Sequence, residues 1–188
     1  MKTKPDFVFI GNNPAVDFVN TEIIVRGQLV DLLPTPEALV QWANQANLRL
    51  DCSLGKKGLA EALLLRKTLR ELFSARIDGQ TGLPQALDTV NKYLVRYTTN
   101  QTLSIKENEY ILERDQSNLD LAMLLEYLTH AGATLLASPH VDRLRRCDNP
   151  DCVLLFVDTS RSQKRRWCSM ETCGNRAKVS THYKKQHS

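Results

Sequence analysis

Four of the five cysteines fall within 27 residues of one another, as Cys147-x4-Cys152-x15-Cys168-x4-Cys173. Each pair can supply two thiolates from one tight turn, and the fifteen-residue spacer lets the second pair fold back onto the first. Four sulfurs at about 2.3 Å then enclose a tetrahedral Zn²⁺. The x4 gap is wide for such a pair, but Asn149-Pro150-Asp151 is turn chemistry that shortens the reach. Four thiolates leave no open position for a catalytic water, so the expected cofactor is one structural zinc. Iron would also accept four thiolates. Two disulfides are the rival arrangement, and they need an oxidising compartment. The N-terminus has neither the apolar run nor the cleavage site of a secretory leader, so the expected location is the cytoplasm.

The elements around the cysteines must hold them in register. Val153–Val157 reads as a strand, 158–162 as a turn and Lys164–Trp167 as a returning strand. Cys173-Gly174-Asn175-Arg176 opens a short helix reaching about Gln186. Knuckle, hairpin, knuckle and helix make a treble-clef-like module. So small a segment cannot build a sufficient apolar core, so the metal supplies much of its folding free energy, with Phe156 and Trp167 packed around it. His182 and His187 are spare donors that four cysteines make unnecessary.

The 188 residues correspond to one domain, or one with a small appendage. The rest of the chain reads as mainly helical. Thr35-Pro36-Glu37 is a helix start with Thr35 as cap, followed by an apolar face of Leu39, Trp42, Ala43 and Ala46. A second helix over about 57–77 carries two apolar stripes, Ala62-Leu65-Leu69-Leu72 and Leu59-Leu63-Phe73-Ile77. A third, over 83–97, turns Ala86, Leu87, Val90 and Leu94 inward. A small β-hairpin pairs 102–106 with 110–114. The segment 119–137 is apolar all round and belongs in the middle of a bundle. Residues 14–33 fit helix or strand equally. Pro139 marks a boundary, giving a helical N-terminal domain over 1–138 and a zinc finger over 139–188. No apolar run is long enough for a membrane span.

Charge divides at the same place. Residues 1–142 carry 14 Lys/Arg against 17 Asp/Glu, whereas 143–188 carry 11 against 4. A mildly acidic body with a basic tail suits a polyanionic partner, most simply DNA. Four thiolates around Zn²⁺ carry a formal −2, which Arg145, Arg146, Arg165 and Arg166 can partly offset, but eleven basic side chains exceed that need. In the terminal helix Lys178, Thr181, His182 and Lys185 share one face, while Arg176, Val179 and Tyr183 share the side expected to dock. The candidate nucleic-acid contacts are Arg161, Lys164, Arg165, Arg166, Lys178, His182 and Lys185. One finger with so few basic helix residues binds weakly, which favours a homodimer.

Residues 145–178 resemble a CGNR zinc finger, named for the run Cys173-Gly174-Asn175-Arg176. The match extends through Cys147, Asn149, Pro150, Cys152, Phe156, Asp158, Ser160, Arg161, Trp167, Cys168, Met170 and Lys178. Upstream, Val16-Asp17-Phe18-Val19-Asn20-Thr21 and Val30-Asp31-Leu32-Leu33-Pro34-Thr35-Pro36 resemble the opening of an ABATE domain, which usually precedes this finger. The resemblance implies a bacterial stress-induced transcription regulator, with the finger binding DNA and the N-terminal domain sensing a ligand.

Arg66 and Arg70 interrupt an apolar stripe one turn apart, and a guanidinium facing a core needs a partner. Two readings are open. The pair can be internal, with an acid such as Asp17 or Glu22, or the arginines can snorkel to the surface. Alternatively they hold a small anionic ligand, with Asn20, Thr21 or Trp42 nearby. No phosphate loop, nucleophile elbow or His-Glu-x-x-His pair points to an enzyme, and Cys52, with only Lys56 and Lys57 nearby, reads as an inert thiol. A protein- or RNA-binding adaptor is the alternative to a DNA-binding regulator.

Overall fold

The computed structural model describes residues 6–50, 54–80, 83–96, 101–106, 109–114 and 119–179. The fold is mainly helical, with small antiparallel hairpins. Cys52, Thr181, His182, Tyr183, Lys185 and His187 lie outside the described residues.

The ambiguous opening resolves into a helix and a hairpin. Helix α1 (Pro14–Val19) is capped by Asn13, whose side chain accepts the N–H groups of Ala15 and Val16. Strands β1 (Glu22–Val25) and β2 (Gln28–Asp31) pair antiparallel with Val25 opposite Gln28. Their two-residue connection, Arg26-Gly27, has φ of 53° and 79°, as the tightest right-twisted hairpin turn requires. Helix α2 (Pro36–Gln45) starts as expected, with Thr35 accepting the Ala38 N–H. Helix α3 (Lys56–Ile77) buries Ala62, Leu65, Leu69 and Leu72 on one stripe and Leu59 and Phe73 on the other.

Helix α4 (Pro84–Leu94) buries Ala86 and Val90, but Leu87, expected inward, is exposed. The inward line runs Ala86, Val90 and then Tyr93 and Leu94, at the helical period. Strands β3 (Gln101–Lys106) and β4 (Glu109–Arg114) form the expected hairpin. Helix α5 (Leu121–Ala137), capped by Asp120, packs against α1, α3 and α4. Gly132 permits this close approach, because a Cβ there would lie 2.8 Å from Leu69 Cδ2 and 3.3 Å from Ala15 Cβ. Trp42, Phe18 and Phe73 are the largest fully buried side chains of the resulting core.

The expected hairpin of the tail forms with a different partner. Strand β6 (Leu155–Val157) pairs with β5 (Leu144–Arg146), not with residues 164–167, which are not a strand. The first cysteine pair therefore sits at the tip of the β5–β6 hairpin. The segment after β6 is diverted instead by Asp158, whose carboxylate accepts the N–H groups of Ser160 and Arg165.

The other edge of β6 is closed by the N-terminal segment. Asn20 accepts the Leu155 N–H at 2.9 Å and donates to its carbonyl at 2.8 Å. Val157 N–H donates to Gly11 O, and Asn12 Nδ2 donates to Val157 O, both at 2.9 Å. Side chains follow the alternation of a strand. Leu155 and Val157 join the helical core, whereas Phe156, fully buried, joins the cysteine cluster.

Candidate metal centre and nucleic-acid interface

The first pair of cysteines is set by a turn closed on both sides. Cys147 N–H donates to Leu154 O, Cys152 N–H to Asn149 O, and the Asn149 side chain accepts the Asp151 N–H. The second pair is set by a helical start, with Ser169 as cap of the turn Met170–Gly174. This helix begins three residues ahead of Cys173, so Cys173 lies inside its first turns rather than before it. Helix continues through 175–179.

All four Sγ atoms lie within 4.8 Å of one another. Cys152 to Cys168 is 3.8 Å and Cys168 to Cys173 is 3.5 Å. A tetrahedron with metal–sulfur bonds of about 2.3 Å has edges of roughly 3.8 Å, so the four sulfurs fit one zinc ion. Cys147, Cys168 and Cys173 are buried and Cys152 is half-buried. Donors face the sulfurs, among them Cys168 N–H to Cys147 Sγ and Asn149 Nδ2 to Cys173 Sγ, both at 3.4 Å. Such donors orient thiolates and spread their charge. Among the thiols themselves, hydrogen bonds from Cys152 and Cys168 hold Cys147 far below its ordinary range, and the same contacts push Cys152 and Cys168 up. A divalent cation replaces those shared protons and lets all four ionise. One structural zinc, without an open coordination position, is the group these residues hold.

The basic residues fall into two sets. Arg165 is engaged inside the module: its guanidinium lies 4.3 Å over the Phe156 ring, Nε donates to Trp167 O, and a terminal nitrogen donates to Cys168 O. Asp158 fixes the same loop. Burial would raise its carboxyl, but the bonds from Ser160 and Arg165 hold it below the usual carboxylate range. Arg161, Lys164, Arg166 and Lys178 are exposed. Arg166 pairs with Asp148 at 2.6 Å and lies 5.0 Å over the Trp167 ring. Lys164 and Arg166, with Ser160, Ser162, Trp167 and Met170, border a recess of about 500 Å³ beside the second pair of cysteines. Arg176 and Val179, expected to dock, are exposed, Val179 to 64%.

The residues suspected of holding an anion find partners within the chain. Arg66, buried, makes two 2.7 Å bonds to the Asp31 carboxylate, donates to Thr21 Oγ1 at 2.9 Å and reaches Glu22 at 3.4 Å. Arg70 pairs with Glu22 at 2.8 Å and donates to Val19 O and Val153 O. Burial lowers the Arg70 pKa against the pull of Glu22, while Asp31, which burial alone would raise, is held low by Arg66. Asp17 is not part of this network; it accepts the Gly11 N–H at 2.7 Å. Trp42 packs on Phe18, and Asn20 serves the finger strand. The sulfur-facing donor Asn149 and the strand-edge role of Asn20 escape sequence reasoning. The first shows only as a turn residue, and the second spans 135 positions.

The geometry defines a class: a helical body bearing a closed four-cysteine zinc finger. The CGNR zinc finger family model matches residues 143–186, and the ABATE family, described as "Putative stress-induced transcription regulator", matches residues 12–139. The chain belongs to the ABATE family and ends in a CGNR zinc finger. No curated protein matches it. Among the described residues no helix is long and apolar enough to cross a membrane.

Proposed function

We propose that this chain is a non-enzymatic cytoplasmic transcription regulator whose finger, over residues 139–188, binds DNA while the body, over 1–138, carries regulation. The observation that supports this most is a metal-ordered module with Arg161, Lys164, Arg166 and Lys178 exposed on a tail of strong positive charge. His182 and Lys185 extend the same set in the sequence. Arg165 acts from within by bracing the loop that presents its neighbours. Cations carried on a scaffold braced by the metal site contact phosphates at a lower ordering cost, and Lys178, exposed on helix 175–179, suits contact along a groove. Two copies acting together supply the affinity one small finger lacks.

The test is binding to labelled duplex DNA over a salt series. Contact with about four phosphates gives a log–log slope of roughly −3 to −4. Lys164→Ala and Lys178→Ala each reduce that slope by about 1, uniformly across sequences. Footprinting with Cys168→Ser beside the native protein gives the second readout. Equal occupancy for both, or salt-independent binding, overturns the reading, and tighter binding to RNA or protein favours the adaptor.

A further inference from the structure

A second recess, of about 440 Å³, lies in the body between the loop before α1 and the C-terminal end of α2, among Phe9, Asn12, Asp17, Trp42, Gln45 and Asn47. Its size suits a small molecule. Four features of its lining share one sign. The Asp17 carboxylate is partly buried and has only backbone partners, Gly11 and Ile10, with no cation beside it among the described residues. Gln45, Ala46 and Asn47 bring the negative end of the α2 dipole to the rim. Phe9 stacks on Trp42 with ring centroids 6.4 Å apart and stays 39% exposed, so an aromatic face is open to a cation. No described lining residue is basic.

We propose that this recess binds a small organic ammonium compound, its charge held by Asp17 and its apolar part against the exposed ring of Phe9. This rests on the regulatory role proposed above for the body, and gives it a site whose ligand has a charge opposite to the one the arginine pair would hold. The recess also touches the finger. Asn12 on its wall donates to Val157 O and Thr159 Oγ1, and the adjacent Gly11 carbonyl holds the Val157 N–H. An occupant that shifts residues 11–13 therefore bears directly on strand β6.

The experiment is calorimetric titration of the zinc-loaded full chain with 2-phenylethylammonium, and with 3-phenylpropanoate and 2-phenylethanol as anionic and neutral counterparts. The ammonium should bind saturably and at least tenfold more tightly than either. Asp17→Asn, which keeps an oxygen for Gly11, should weaken it at least tenfold, and Gln45→Lys, a change at an exposed rim position, at least threefold. Equal binding of the carboxylate, or an unchanged ammonium isotherm in Gln45→Lys, overturns the proposal even if Asp17→Asn fails to fold. Because the readout needs no DNA, its failure is distinct from failure of DNA binding.

Discussion

Replacing Asn20 with alanine tests whether the finger is held to the body mainly through the edge of β6. The side chain is 1% exposed and makes two bonds to Leu155, itself 1% exposed, at 2.9 and 2.8 Å. Removing it strands a buried N–H and a buried carbonyl. Each stranded group costs about 1–3 kcal/mol, so the loss should be about 2–6 kcal/mol. A chain of this length loses roughly 2–4 °C in Tm per kcal/mol, which puts the fall between about 4 and about 24 °C. Asn20→Asp keeps the acceptor but loses the donor and adds a buried charge, so it should do no better than alanine. Calorimetry of the zinc-loaded variants, with zinc content measured in parallel, is the assay. Zinc should stay at one equivalent, since Asn20 touches no cysteine. A loss under about 0.5 kcal/mol for Asn20→Ala would refute the reasoning and show that the other contacts, those of Gly11 and Asn12 with Val157 among them, seat the finger without Asn20.

Cys168→Ser removes one of four thiolates from a site whose metal binding is coupled to folding; elemental analysis should show zinc falling well below one equivalent, with loss of amide protection over 144–179. Gly132→Ala sets about 1 kcal/mol of helix propensity against overpacking of about 1–3 kcal/mol onto Leu69 at 2.8 Å. The net should be a destabilisation of about 1 kcal/mol by urea denaturation, whereas a gain would mean that Leu69 moves freely. Asp31→Asn leaves Arg66 with one carboxylate partner instead of two, and because Asp31 is partly exposed the expected cost is about 1–3 kcal/mol. The Asp31 carboxyl lies below its ordinary 3.8 in the folded chain. Its stabilisation is therefore fully present above that value and lost as pH falls through the lower, folded one. Urea midpoints between pH 5 and 2 should fall less steeply in Asp31→Asn than in the native protein.

Local chemistry carried much of the fold into view from sequence. Thr35-Pro36 marks a helix start because cap and fixed φ act within three residues, and the unbroken apolar surface of 119–137 demands burial on every side. The cysteine spacing identifies the metal centre for the same reason, since each pair is a turn. What escaped depends on distance along the chain. Leu144-Arg145-Arg146 carries no strand pattern of its own and stands out in sequence only through its charge; the knuckle that follows folds it against β6. Arg66 demanded a carboxylate, but Asp31 lay hidden because the Arg26-Gly27 turn that brings β2 back was unread. The recess beside Asp17 is built from two distant stretches, 9–17 and 42–47, and neither advertises it alone.

The two-sided closure of β6 has a consequence for how the chain can be cut or rearranged. A finger released from its body would expose the Leu155 and Val157 backbone groups together with both side chains, a short sticky template for other chains. Proteolysis near Pro139, or transplantation of the tail onto a foreign host, should therefore yield an aggregation-prone fragment unless the recipient supplies an equivalent of Gly11, Asn12 and Asn20.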